Sequence, residues 1–545
     1  MGEITYGGGG LPLVAGKTIF DYADELAVRV PTSCGRMGHC HECIVEVNTG
    51  QEGLCPRTDA EEFLRGDFRL ACQALVEDTG CDVAFSLLRT NPKILTSAPA
   101  KDFSIDPLVR RQGDNVCYGG QVIDNYRNHI YGVAIDLGTT TVVAELVDLE
   151  TGKSVYLVSF ENPQRFGGSD VMHRISYDSG PFQGELHKAI INTINHELRK
   201  MCRQLEFPRQ EIYEIVVAGN STMRELFFNL DVQTIGERPY KSNIEQEYLA
   251  GDRQTTALTE NARRLRLWAN PKAKVYGAPL VASHVGGDMA AGMVAVDLET
   301  HREPIMLVDI GTNTEVVVAH EGRMMTASCP AGPAFEGGGV RYGTAAVDGA
   351  IESVHLKDGQ VEYDTIGGGE PIGFCGSALI DLLAELRRQG KMTPKGVFAD
   401  KSHEMTLVPH RGITFSREDG SNLAQAKAAN YCGQFIVLRK FGLQPADISR
   451  LYLAGGFANY INVRNAIEIG FLAPVPEDRI VKIGNASVQG AKELLLSRSK
   501  RESIESLVKQ VEHVELETTP DFFEIFVEAC QFKPMPREIP PGPDF

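Results

Sequence analysis

One pattern occurs twice in this chain, and it dictates most of what the chain can fold into. Tyr131–Val147 reads YGVAIDLGTTTVVAELV, and Ile305–His320 reads IMLVDIGTNTEVVVAH. Each is a strand, an Asp-hydrophobic-Gly-Thr-x-Thr turn and a second strand, so each predicts a β-hairpin. Each copy is later followed by a strand that runs into a glycine turn and then a helix, in Glu214–Phe228 (EIVVAGNSTMRELFF) and Arg450–Ile467 (RLYLAGGFANYINVRNAI). A unit repeated with its followers in the same order predicts two similar α/β lobes facing one another.

The turns themselves suggest chemistry. A tight glycine turn between strands exposes consecutive backbone N–H groups, so Gly138, Thr139, Thr140 and Thr141 in the first copy can hold phosphate oxygens, and Gly311, Thr312, Asn313 and Thr314 can do so in the second. Asp136 and Asp309 could hold Mg²⁺ through water or orient an attacking water, and Glu315 is a second candidate for that water. A strand-start carboxylate facing solvent is an equal reading of Glu315. Gly455 and Gly456, in L-A-G-G-F, would let the backbone approach an adenosine where a Cβ would obstruct it. One such turn alone would be only a hairpin. Two copies 173 positions apart, followed by L-A-G-G-F, make the joint pattern specific. A P-loop is excluded, because neither Gly16-Lys17-Thr18 nor Gly152-Lys153-Ser154 has the glycine required five positions earlier.

The second constellation lies near the start. Of the 12 cysteines, six precede residue 82, and Cys34, Cys40 and Cys43 crowd into T-S-C-G-R-M-G-H-C-H-E-C, with Cys72 following in R-L-A-C-Q. Thiolates are soft ligands for iron, and a [2Fe–2S] rhomb takes four of them, two for each iron. Gly35 and Gly38 let the loop curl so that N–H groups can face the sulfurs. A zinc knuckle is the competing reading, but zinc sites usually show two paired C-x2-C knuckles, and only Cys40 and Cys43 are paired in that way. Cys55 is the competitor for fourth ligand. His39 and His41 read as exposed loop histidines, and Cys375 as a packed thiol.

These features resemble known families. The C-x5-C-x2-C loop with its later R-L-x-C is similar to β-grasp [2Fe–2S] ferredoxins of adrenodoxin-like spacing, one residue longer in the first gap than the plant type. The two Asp-Gly-Thr turns with L-A-G-G-F resemble the superfamily of actin, sugar kinases and Hsp70. Pro279–Gly292 (PLVASHVGGDMAAG), Ala331–Gly339 (AGPAFEGGG), Gly373–Leu379 (GFCGSAL) and Gly484–Ala491 (GNASVQGA) extend the likeness. Together the two parts look like the reductive activators of corrinoid-dependent methyltransferases.

That resemblance implies a [2Fe–2S] cluster, ATP and Mg²⁺ as cofactors. It implies ATP-dependent reduction of a Co(II) corrinoid protein of a methyltransferase system to Co(I). A low-potential donor of ferredoxin or flavodoxin type would refill the cluster, and a homodimer is left open. The alternatives are electron delivery to another low-potential enzyme and a redox-sensing ATP-binding switch; a plain sugar kinase has no use for the iron–sulfur module.

The expected fold class is a multidomain α/β chain. A β-grasp [2Fe–2S] ferredoxin-like domain spans 1–89 and a linker 90–129; ATPase lobe I spans 130–303, lobe II 304–528, and a Pro-rich extended tail 529–545. The formal net charge of −18 argues against nucleic acid, whose phosphates need clustered Lys and Arg. No apolar run approaches the ~20 residues of a membrane span, and Met1–Gly10 lacks signal-peptide character, so a cytoplasmic protein without membrane contact is expected.

Overall fold

The computed structural model describes residues 2–87, 103–282, 284–357, 360–456 and 458–542. Its first module is a five-stranded sheet in the order Gly9–Pro12, Glu3–Tyr6, Val83–Leu87, Ile44–Thr49, Phe68–Leu70. The Glu3–Tyr6 and Val83–Leu87 strands run parallel and the other pairs antiparallel. The helix Ile19–Glu25 turns four side chains, from Ile19 to Ala23, into the core, and Thr18 starts it with a reciprocal capping box to Asp21. This is the β-grasp arrangement expected from the cysteine pattern.

The duplication is plain in the sheets. Tyr131–Leu137 lies between its hairpin partner Thr141–Asp148 and the parallel strand Ile212–Gly219. Ser154–Glu161 lies beyond the hairpin, and Lys274–Gly277 and Leu258–Asn261 continue the other side. The second sheet repeats this order: Arg323–Cys329, Thr314–His320, Ile305–Ile310, Arg450–Ala454, Ile480–Gly484, with Val511–His513 added parallel at the edge beside Arg323–Cys329. The central strands carry near-continuous apolar runs because helices cover both faces. Ile212–Gly219 is buried at every position.

Three stretches differ from the sequence-based expectation. Residues 88–102 lie outside the described residues, but the rest of the expected linker is not featureless. Val109–Gln112, Asn115–Tyr118 and Gln121–Asn125 form an antiparallel sheet. Its turns, Gly113-Asp114 and Gly119-Gly120, are hairpin signals hidden by a polar composition. Helices Ala486–Leu496 and Arg498–Leu507, expected in lobe II, cross to lobe I. Gly490 packs so closely that a Cβ there would meet the Ala291 carbonyl oxygen at 1.8 Å, and Arg501 pairs with the buried Glu214 at 2.8 Å. The final stretch is extended but held: Phe532, Met535 and Ile539 are buried, and the Phe532 N–H donates to the Pro394 carbonyl.

The N-terminal module packs on lobe I rather than standing apart. Their buried side chains form one continuous cluster. The Tyr177 hydroxyl donates to the Phe63 carbonyl at 2.5 Å, and Arg165 approaches Glu46 at 3.5 Å. Asn192, on helix Glu185–Gln204, donates to the Cys40 carbonyl at 3.4 Å. Among the described residues no helix is long and apolar enough to cross a membrane.

Candidate functional site: a four-thiol loop and a two-turn cleft

The cysteine loop curls through left-handed backbone at Gly35 (φ 65°) and Gly38 (φ 78°), the conformation glycine adopts without steric cost. It presents two pairs of thiols. The Cys43 and Cys72 sulfurs are 3.4 Å apart, while the Thr32 hydroxyl lies 4.0 Å from both the Cys34 and the Cys40 sulfur. Burial opposes ionisation of Cys34, but the N–H groups of Cys40, His39 and Met37 aimed at its sulfur outweigh burial and hold it at about 6. Cys72 also falls to about 6, chiefly because the Cys43 thiol donates to it, with the Gly38 N–H helping; Cys43 rises correspondingly.

Among the described residues no three His, Cys, Asp or Glu side chains converge on a point for a single metal ion. Two thiol pairs lined with N–H donors are what a two-iron rhomb requires, since each iron takes two thiolates and the cluster sulfurs accept hydrogen bonds. The residues fit a [2Fe–2S] group. Cys55 is engaged elsewhere: its sulfur donates to the Gln73 carbonyl at 3.3 Å and accepts from the Leu75 N–H and from Arg69.

His41 overturns the expectation of an exposed histidine. Its ring stacks on Phe63 with centroids 3.9 Å apart, and its Nδ1 lies 2.7 Å from the Glu185 carboxylate. The partners come from other parts of the chain, so local sequence gave no sign of them. His39 is exposed as expected.

The two Asp-Gly-Thr turns face one another across an open cleft. Asp136, Gly138, Thr139, Thr140, Thr141, Asp309, Gly311, Thr312, Asn313, Glu315, Gly455 and Gly456 all line it. Thr314 does not; its hydroxyl is buried and unpartnered within the hairpin. The lobes touch at these turns: Thr140 and Thr312 hydroxyls are 3.0 Å apart, and both donate to the Glu336 carboxylate, at 3.0 and 2.6 Å.

Deeper in the cleft four carboxylates gather. Asp136 accepts from Asn485 at 2.7 Å and Ser487 at 2.8 Å. Burial, followed by the charge of Asp136, pushes Asp288 up to about 7. Burial and then Asp136 and Asp288 push Asp309 up to about 8. Glu315 rises for the same reasons, with Asp288 and Asp309 as its neighbours, which removes the solvent-facing reading. Buried like charges raise one another's proton affinity, and a hard divalent cation with oxygen ligands relieves that repulsion. No three of the described acidic side chains converge on one point, so Mg²⁺ would take one or two of these carboxylates through water, beside a nucleotide's phosphates.

Asn220, Asp288, Glu336, Asn485 and Ser487 line the cleft and were not singled out from sequence. All but Asn220 fall in glycine-rich segments already noted, G-G-D, F-E-G-G-G and G-N-A-S. Asn220 follows the strand Ile212–Gly219 and caps the helix Ser221–Phe227, the position an Asn between strand and helix would predict.

Comparison with known proteins follows the same divisions. Residues 10–77 match the 2Fe-2S iron-sulfur cluster binding domain, residues 131–301 the RACo middle region, and residues 303–541 the C-terminal domain of RACo, the ASKHA domain. Both lobes are RACo family domains.

The relatives agree over most of their lengths. A corrinoid activation enzyme, RamQ, from Eubacterium limosum is 27% identical over 94% of this chain and 96% of its own. A [Co(II) methylated amine-specific corrinoid protein] reductase from Methanosarcina barkeri is 25% identical over 72% of this chain and 75% of its own. A solved reductive activator for corrinoid, iron-sulfur protein superposes with TM-score 0.71 at 28% identity, covering 98% of both chains. The RACo middle region begins at Tyr131, the first residue of the first hairpin strand, and the C-terminal domain begins just before Ile305, the first of the second.

Proposed function

We propose that this chain is an ATP-dependent reductive activator of a corrinoid protein: it passes one electron at a time from an iron–sulfur centre to Co(II), restoring Co(I), at the expense of ATP hydrolysis. The observation that supports this most is the joining of the two sites. The four-thiol loop rests on the same lobe that supplies one wall of the two-turn cleft, in a chain whose RACo relatives bear the names of corrinoid activators and reductases.

Cys34, Cys40, Cys43 and Cys72 are assigned to the cluster, which when bound supplies a one-electron carrier. The backbone N–H groups and hydroxyls of the turns at Gly138–Thr141 and Gly311–Asn313 would grip the triphosphate from opposite lobes, and Gly455 and Gly456 would lie against the adenosine. Asp136, held by Asn485 and Ser487, and Asp288 would carry the Mg²⁺ through water. Asp309 or Glu315 would orient the attacking water, and Glu336, already bridging the two phosphate turns, is a third carboxylate within that reach. The work required is modest: about 180 mV against a one-electron transfer is a factor of ~10³, or ~4 kcal/mol, which preferential binding of ATP to one arrangement can supply.

The test is anaerobic mixing of the reconstituted, reduced protein with Co(II) corrinoid proteins, with and without ATP, following Co(I) absorbance. ATP-dependent Co(I) formation is expected. Failure with every corrinoid protein, while iron and ATP both bind, would leave the activator reading without support and favour a sensing role.

A further inference from the structure

Asn162 joins the two sites. It is fully buried, and it holds the first phosphate turn by two carbonyls: its backbone N–H donates to the Thr140 oxygen at 2.7 Å, and its Nδ2 donates to the Gly138 oxygen at 2.8 Å. Its Oδ1 accepts from the Gln164 N–H at 2.9 Å, which fixes the short helical turn Pro163–Gly167 directly after it.

That turn is one of the parts of lobe I that meet the iron–sulfur module, beside Tyr177 and the helix Glu185–Gln204. The Phe166 ring packs edge-on against Phe63, centroids 5.5 Å apart at 88°, and against Tyr177 at 5.7 Å. Phe63 stacks on His41, which stands between Cys40 and Cys43. Phe63, Phe166 and Tyr177 are all at most 4% exposed, so displacement of one ring must move the next.

We propose that Asn162 and Phe166 are positioning residues through which the occupant of the first phosphate turn sets how the iron–sulfur module docks. The inference rests on the reading of that turn as an ATP site. The Gly138 carbonyl shares one rigid peptide plane with the Thr139 N–H, and the Thr140 carbonyl shares one with the Thr141 N–H. A phosphate that draws either N–H tilts a plane whose other end is fastened to Asn162. The movement passes along the next four residues of the chain to Phe166, then through Phe63 to the cysteine loop. The docked arrangement is one of the two states required; the other is a module turned away from Phe166 about a contact that is partly aromatic and partly ionic. By linkage, nucleotide and docking change each other's equilibrium by one factor.

The test uses the full-length, cluster-loaded protein without oxygen. AMP-PNP binding is measured by calorimetry, and amide hydrogen exchange is followed at residues 34–43. In the unaltered protein AMP-PNP changes exchange there by about fivefold or more, and Phe166→Leu removes most of this change while the protein still binds iron and AMP-PNP. Asn162→Ala is the direct variant; should it not fold, Phe63→Leu breaks the same path from the other module. An unchanged nucleotide response in Phe166→Leu and Phe63→Leu, or none in the unaltered protein despite AMP-PNP binding, overturns the relay alone. No AMP-PNP binding at all overturns both the relay and the ATP site beneath it.

Discussion

Replacing Gly455 by alanine tests the geometry of the cleft at one atom. Gly455 has φ +119°, and a Cβ built on it would lie 2.1 Å from the Ile310 carbonyl oxygen, 2.9 Å from its carbon and 3.1 Å from its nitrogen. Ile310 directly precedes Gly311, so the methyl group collides with the backbone that carries the second phosphate turn. Relieving the overlap requires a backbone shift near 1 Å, and overpacking of this kind costs about 1–3 kcal/mol. The left-handed backbone adds about 1–3 kcal/mol for a residue with a Cβ. If about 2 kcal/mol of that total falls on the bound state, ATP affinity drops about 30-fold, and the remainder lowers the melting temperature. Calorimetric titration and thermal unfolding with and without nucleotide separate the two effects. Gly251→Ala is the control: its φ is +85°, nothing lies within 4 Å of its added Cβ, and ATP affinity should not change. Gly455→Ala with normal affinity and normal melting temperature would refute the placement of this turn against the second phosphate loop.

The remaining predictions touch the other parts of the molecule. Cys72→Ser should abolish the [2Fe–2S] visible spectrum and electron transfer with ATP affinity unchanged, whereas Cys55→Ser should keep the spectrum; the reverse result would reassign the fourth ligand. Arg501→Met leaves buried Glu214 without its partner at 2.8 Å, which should cost about 3–5 kcal/mol in thermal or denaturant unfolding. Lys427, buried with its ammonium on the Gln531 and Ile469 carbonyls, is lowered to about 7 by burial. Between that value and the unfolded 10.5 the unfolded chain binds the extra proton, so stability should rise with pH by up to about 1.4 kcal/mol per unit, flatten below 7, and lose this slope in Lys427→Met.

What could be read before the structure depended on how local the signal was. The hairpin repeat was legible because Asp-Gly-Thr turns and apolar strands are written in consecutive residues, and the thiol loop was legible because soft ligands at short spacing have few other uses. Asp288, Glu336 and Asn485 were not: each sits at the start of a helix or in a short helical turn beside glycines, and its function appears only when distant strands bring it to the cleft. His41 looked solvent-exposed because Phe63 and Glu185, which cover it, come from a different strand region and a different lobe. The sheet at 109–125 was hidden by its charged and amide residues, although its paired glycine turns mark hairpins. The crossing of Ala486–Leu496 onto lobe I follows from its close contact with Gly287–Ala295 at Gly490 and Ala291, a tertiary fit that helix periodicity cannot announce.

Coupling of ATP to electron transfer is most directly tested by single-turnover stopped flow. The protein is reduced beforehand by one electron, freed of reductant, and mixed with an equal amount of Co(II) corrinoid protein with either ATP or no nucleotide. The account predicts that recovery of the iron–sulfur absorbance, as the reduced cluster is oxidised, and the rise of Co(I) share one rate and one-to-one stoichiometry, and that both require ATP. Cobalt reduction at the same rate and extent without nucleotide, or cluster oxidation with no Co(I) formed, would contradict it.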